Sequence, residues 1–161
     1  MTESLISEAL TRAIHQQIAH EVNNAHTYLH ICGYLRNKGL DNVAKHFESQ
    51  HSEEIEHSKE FFNLLTDLNA PVIIPEIDEV DNVYSNIMDV AKMYLQRELL
   101  TTNSINEIKK LSMLEDNPVV EEKMRDMISK QQKELKESTS FMDIAEIMPE
   151  FWQIRLWDGS L

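Results

Sequence analysis

Four stretches of this 161-residue chain run for more than 25 residues each without a proline, and short, well-marked breaks separate them. No other feature restricts the fold as much, because uninterrupted runs of that length suit long helices and little else. Asn37-Lys38-Gly39 ends the first run, and Pro71 and Pro75 flank the β-branched Val72-Ile73-Ile74 after the second. Asn117-Pro118 reads as an N-cap followed by proline at the first helical position, and Met148-Pro149 closes the fourth run. The spacing predicts helices over about 4–36, 41–68, 81–114 and 118–147. Only three glycines and four prolines in the whole chain point the same way.

The connections set the expected topology. Tight joins between the first and second helices, and between the third and fourth, predict two antiparallel hairpins. The link from Asn69 to Val80 is long enough to run the length of a bundle and make the middle helices parallel. The expectation is an all-α four-helix bundle over residues 1–148, followed by a tail or short fifth helix over 149–161. Trp152 and Trp157 in that tail are expected to be covered, by a subunit interface in preference to the bundle's own end.

Charge narrows the function classes. Against 28 Asp and Glu stand 15 Lys and Arg, a formal net charge of −13. Such a surface repels nucleic-acid phosphates and anionic membranes, so neither is an expected partner. Cys32 is the single cysteine and is read as a small buried apolar residue. With no basic, apolar leader and no run long enough to span a bilayer, the expected location is the cytoplasm.

The chemistry lies where the apolar stripes are interrupted. On the second helix Val43, Phe47, Gln50, Glu54, His57, Phe61, Leu64 and Leu68 share one face, and Glu54 and His57 form an i, i+3 pair in its middle. On the first, Leu10, Ile14, Gln17, Glu21, Asn24, Tyr28, Ile31 and Leu35 align, with Glu21 at the centre; on the third, Glu98 interrupts Ile87, Ala91, Tyr94, Thr101, Ile105 and Ile108. The fourth is less regular: Val120, Met124, Met127, Ile128, Leu135 and Phe141 mark its apolar side, with Gln131, Gln132 and Glu134 between them. A buried, unpaired carboxylate is very costly. A shared pair of cations neutralises three of them at once, and carboxylates with one imidazole suit iron or manganese, with zinc also possible. The competing reading is a buried ion-pair or hydrogen-bonded network without metal. The remaining histidines, His15, His20, His26, His30, His46 and His51, mostly fall off the stripes and are expected to be exposed.

Ser52-Glu53-Glu54-Ile55-Glu56-His57-Ser58-Lys59 resembles the second-helix iron motif of the non-haem ferritins. Ala19-His20-Glu21-Val22 with Tyr28 resembles their first-helix ligand and its tyrosine, and Glu98, twenty residues before Pro118, falls at the third-helix ligand. The similarity spans roughly residues 5–147. It implies a ferritin-like bundle in which Glu21, Glu54 and His57 hold one iron. Glu98 and bridging Glu54 would hold a second, with Gln132 nearby and Glu53 assisting. Tyr28 would hydrogen-bond a ligand or donate an electron. Two Fe(II) ions would be oxidised by dioxygen or peroxide and pass to a ferric mineral inside a homo-oligomeric shell, with 24 subunits favoured.

Several positions depart from the family pattern. Gln131, Lys133, Glu134 and Leu135 are read as the fourth-helix positions of an additional iron site, which would then be weak or missing. A second Glu-x-x-His, which would place the chain with the bacterioferritins, has Gln132 and Leu135 in its place, and the usual haem-binding methionine is Ile55, so haem is not expected. The tail does not look like the usual fifth helix. The alternatives are another di-iron oxidase or peroxidase on the same bundle, and a metal-free structural bundle.

Overall fold

The computed structural model describes residues 2–81 and 83–159. Asn82, within the expected start of the third helix, and Ser160 and Leu161, at the end of the expected tail, lie outside the described residues, as does Met1. Five helices form: α1 (Glu8–Asn37), α2 (Asp41–Asp67), α3 (Ile87–Leu114), α4 (Pro118–Ile147) and α5 (Phe151–Asp158), with no strand among the described residues. None is long and apolar enough to cross a membrane.

Capping chemistry explains where the helices begin and end. Ser7 Oγ accepts from Leu10 N at 3.0 Å, so α1 starts at Glu8 rather than at residue 4. Asn86 Oδ1 accepts from Asp89 N at 2.9 Å while Asp89 Oδ2 accepts from Ser85 N at 2.8 Å, which delays α3 to Ile87 rather than residue 81. Asn117 caps α4 with Pro118 first in the helix, as expected. Gly39, Asn69 and Asp116, at φ of 74°, 54° and 51°, take the left-handed conformation just past α1, α2 and α3. Glycine and short polar residues tolerate that conformation best.

The long crossover runs beside α1. Pro71 O lies 2.8 Å from His15 Nε2, Asn23 Nδ2 donates to Asp78 O at 2.8 Å, and Tyr84 stacks on His30 with ring centroids 5.3 Å apart. These contacts climb α1 from near its start to beyond its middle, so α3 begins at the end of the bundle where α2 began, and the two run parallel.

Inside, two apolar clusters fill the ends. Tyr28, Ile31, Leu35, Phe47, Tyr94 and Phe141 belong to one; Leu10, Ile14, Phe61, Leu65, Ile105 and Met124 belong to the other. Between them lies a polar slab, described below.

The tail is a helix docked on the bundle end. Ile154 is 1 % exposed, and Phe151 packs edge-on to Tyr34. Asp158 closes the start of α2, where Leu40 offers no side-chain cap. Its Oδ1 accepts from Val43 N at 2.7 Å, its Oδ2 from Asn42 N at 3.2 Å, and its carbonyl from Asn42 Nδ2 at 2.7 Å. The tryptophans do not make this contact: Trp152 is 63 % and Trp157 55 % exposed, so burial on the bundle's own end does not account for them.

Candidate metal centre

Every helix of the bundle sends a carboxylate into the slab. Glu21 from α1, Glu54 from α2, Glu98 from α3 and Glu134 from α4 are all buried, with His57 half-buried beside them. They meet because each sits at mid-helix on the stripe that faces the core, where the 3.6-residue period keeps it in line with apolar neighbours above and below. Gln17, Asn24, Gln50, Thr101 and Gln131 complete the slab.

The ligand atoms fall into two overlapping groups. One atom each from Glu21, Glu54 and His57 lie within 4.8 Å of one another, and so do one each from Glu54, Glu98 and Glu134. His57 Nδ1 is 3.8 Å from Glu54 Oε2, and His57 Nε2 is 3.7 Å from Glu134 Oε1. Glu54 therefore belongs to both groups.

Neighbouring donors hold the acids in place. Gln17 Nε2 donates to Glu21 Oε1 at 2.7 Å, and Asn24 Nδ2 reaches Glu54 Oε2 at 3.4 Å. Glu98 is gripped from both sides: Tyr28 donates to Oε1 at 2.5 Å and Gln131 Nε2 to Oε2 at 2.6 Å. Glu21 Oε2, Glu54 Oε1 and Glu134 Oε2 are buried and accept no hydrogen bond. Three unpartnered carboxylate oxygens in one slab are a large desolvation cost that cations bound there remove.

The electrostatics carry the same signature. Burial raises all four carboxyls, and in three of them repulsion from neighbouring acids adds to it: Glu54 and Glu134 are each pushed up to about 8, and Glu21 well above the usual range. Glu98 is raised by burial too, although the Tyr28 and Gln131 hydrogen bonds work against the rise. Glu54 and Glu134 thus hold protons at neutral pH, and a cation bound among the four acids would favour their ionised forms.

A groove of about 450 Å³ between α2 and α4 leads to this slab. Glu53, Glu56, Glu60 and Glu137 line it, with Lys130 and Lys133 also on its walls, and His57 and Glu134 are reached through it.

Glu21, Glu54, His57, Glu98 and Tyr28 are thus brought together, whereas Gln132 and Glu53 lie outside the slab. Gln132 is exposed; the buried glutamine of α4 is Gln131, which reaches Glu98, and Glu134 joins the acids. The stripe on α4 follows steps of three and four through Met124, Met127, Gln131, Glu134, Ser138, Phe141 and Ala145, all buried. Glu53 is exposed and lies in the groove rather than among the buried acids. The histidines are also less exposed than expected. His15 is buried against the crossover, His20, His46 and His51 are half-buried with hydrogen bonds to Thr101, Tyr94 and Ala25 O, and His30 is half-buried on Tyr84; only His26 is exposed.

Known proteins share this architecture. The sequence profile of the Ferritin family, a Ferritin-like domain, matches residues 11–148. Ferritin BfrB of Mycolicibacterium smegmatis is 28 % identical over 133 residues, covering 83 % of this chain and 74 % of that protein. The bacterial non-heme ferritin of Campylobacter jejuni is 23 % identical over 104 residues, covering 65 % of this chain and 62 % of its own length. In three dimensions an open pore ferritin from the archaeon Archaeoglobus fulgidus superposes with a TM-score of 0.91 at 21 % identity, covering 97 % of this chain and 98 % of that one. With the profile spanning nearly the whole bundle, the chain belongs to the ferritin family.

Proposed function

We propose that this protein stores iron by oxidising Fe(II) at the centre formed by Glu21, Glu54, His57, Glu98 and Glu134. The observation that carries the reading is Glu54, which shares one group of ligand atoms with Glu21 and His57 and another with Glu98 and Glu134. A carboxylate so placed bridges two metal ions and keeps them close enough to react with one oxidant.

Iron is the substrate. The acids of the α2–α4 groove attract Fe(II), which passes His57 and Glu134 on its way in. Glu21, Glu54 and His57 take one ion, and Glu54, Glu98 and Glu134 the other. Binding displaces the protons that burial keeps on these carboxyls. Each Fe(II) gives up one electron. Dioxygen takes the two electrons and two protons to become hydrogen peroxide, or peroxide takes them and becomes water. Hard carboxylate oxygens favour Fe(III) over Fe(II) and so promote the electron loss. Tyr28 and Gln131 keep Glu98 in position throughout, and Tyr28 is a further electron source. Ferric iron then leaves for a mineral core within a homo-oligomeric shell, with 24 subunits favoured.

Optically followed Fe(II) oxidation in air tests this, with wild type beside Glu54→Ala and His57→Ala. Fast oxidation that saturates near two irons per chain and is lost in both variants is expected. Equal, slow rates in all three would leave the acids a structural role only.

A further inference from the structure

Across the bundle from the α2–α4 groove, α1 and α3 join four polar side chains, His20, Asn24, Arg97 and Thr101, in a closed ring. A guanidinium only donates, so Arg97 Nη2, 3.4 Å from His20 Nδ1, makes that nitrogen the acceptor and leaves the imidazole proton on Nε2. His20 Nε2 donates to Thr101 Oγ1 at 2.7 Å, and the Thr101 hydroxyl donates to Arg97 O at 3.0 Å. Arg97 Nε donates to Asn24 Oδ1 at 2.6 Å, which turns the amide so that Asn24 Nδ2 faces Thr101 Oγ1 at 2.9 Å and Glu54 Oε2 at 3.4 Å. Burial and the Arg97 charge hold His20 down to about 4, in keeping with the neutral tautomer.

The ring gives the centre two properties. Asn24 Nδ2 reaches Glu54 Oε2, the oxygen beside His57, at 3.4 Å and so helps set how this carboxylate is turned in the slab. In addition, a permanent cation sits beside the acids. Arg97 is half-buried and forms no ion pair with a carboxylate among the described residues; burial works against its charge, and Tyr28, Glu54, Glu21 and Glu98 favour it. A guanidinium stays protonated in a protein, so this charge is fixed.

A fixed charge acts unequally on the substrate and the product of oxidation. Its repulsion scales with the charge of the ion, so a trivalent ion feels half as much again as a divalent one in the same place. Four carboxylates balance two divalent ions, and oxidation adds two charges that Arg97 opposes.

We propose that Arg97 is a positioning residue of this centre: through Asn24 it fixes how the Glu54 carboxylate is turned toward the metals, and its charge weakens the hold on trivalent ions more than on divalent ones. The inference rests on the ferroxidase reading above. It assigns Arg97 a part in clearing oxidised iron from the site, so that the site turns over rather than filling once.

Redox-inert ions test it without oxidation. Zn(II) affinity is measured by calorimetry and Tb(III) affinity by luminescence, in wild type, Arg97→Gln, Arg97→Lys and Asn24→Leu, with Glu54→Gln giving the background from surface acids. Arg97→Gln raises the ratio of Tb(III) to Zn(II) affinity by at least about threefold, since the repulsion removed is larger for the higher charge. Arg97→Lys keeps the charge and leaves the ratio at the wild-type value. Asn24→Leu keeps the charge but cuts the link, and weakens both ions alike. Arg97→Met replaces Arg97→Gln, with the same expectation, if the latter does not fold. An unchanged ratio in the neutral variant, or equal weakening of both ions, overturns the inference while leaving the centre intact. Wild type indistinguishable from Glu54→Gln overturns the centre itself, and this inference with it.

Discussion

Tyr28 on α1 donates to Glu98 Oε1 on α3 at 2.5 Å, and both side chains are fully buried. The phenol is raised well above its usual range by burial and then by the Glu98 charge, so it stays protonated and remains the donor. The bond joins the first hairpin to the second at the level of the candidate metal centre. Tyr28→Phe removes it and leaves a buried acceptor short of one donor, at a cost of about 1–3 kcal/mol. The expected outcome is a lower Tm for the metal-free protein, with much of the loss recovered when Zn(II) occupies the site. A metal-bound Tm as far below wild type as the metal-free one would place the value of this bond outside the centre.

Adjacent glutamines on α4 have opposite fates. Gln131 is buried and donates to Glu98 Oε2 at 2.6 Å, whereas Gln132 is exposed. Gln131→Leu should weaken binding of the second metal equivalent measurably by calorimetry and leave the first nearly intact. Gln132→Leu should change stability by no more than about 0.5 kcal/mol and leave both equivalents alone. The reverse pattern would restore Gln132 to the site.

These two residues show how far the sequence could be read. Glu21, Glu54 and Glu98 each interrupt an otherwise apolar stripe, so periodicity alone places them in the core. On α4 the buried stripe is itself polar at Gln131, Glu134 and Ser138, three positions in succession, and the half-buried Ile128 and Leu135 beside it draw the eye to a neighbouring face. Steps of three and four carried from Met124 and Met127 through the polar positions recover the right register. The ring of His20, Asn24, Arg97 and Thr101 was hidden for a different reason: only Asn24 and Thr101 lie on stripes, and nothing in the spacing says that His20 and Arg97 fold back toward them. The capping of α2 by Asp158 joins residues over a hundred positions apart and has no local signal at all.

The raised carboxyls make stability depend on pH in a definite direction. Glu54 and Glu134 ordinarily titrate near 4.5 but reach about 8 in the folded protein, chiefly through burial. Between those values the folded state binds more protons than the unfolded one, so stability falls as pH rises. Thermal melts of metal-free protein should show Tm declining from about pH 5 to pH 8 on this account and levelling beyond it. Metal binding must displace the same protons, so Zn(II) affinity should rise over that window and the Tm gap between metal-bound and metal-free protein should widen. Metal-free Tm that climbs from pH 6 to 8 would contradict the buried, protonated state of these acids.

Besides the apolar docking of Ile154 and Phe151, the fifth helix contributes one carboxylate to the fold. Asp158 accepts from the amides of Asn42 and Val43, orphan donors in the first turn of α2 that Leu40 cannot satisfy. An acid there also complements the positive end of the helix dipole. Asp158→Ala should cost about 1 kcal/mol, as the loss of an N-cap does. Asp158→Asn keeps one of the two accepting oxygens and loses the charge, and should cost less. Hydrogen exchange reads the effect locally: the Asn42 and Val43 amides should lose protection in Asp158→Ala while amides around Glu54, more than ten residues along α2, stay unchanged. Zn(II) affinity should also be unaffected, since the cap lies at the far end of the apolar cluster that contains Phe47 and Tyr94. If exchange speeds up along the whole of α2, the fifth helix governs the stability of the entire helix, and the contact is a latch on the bundle rather than a local cap.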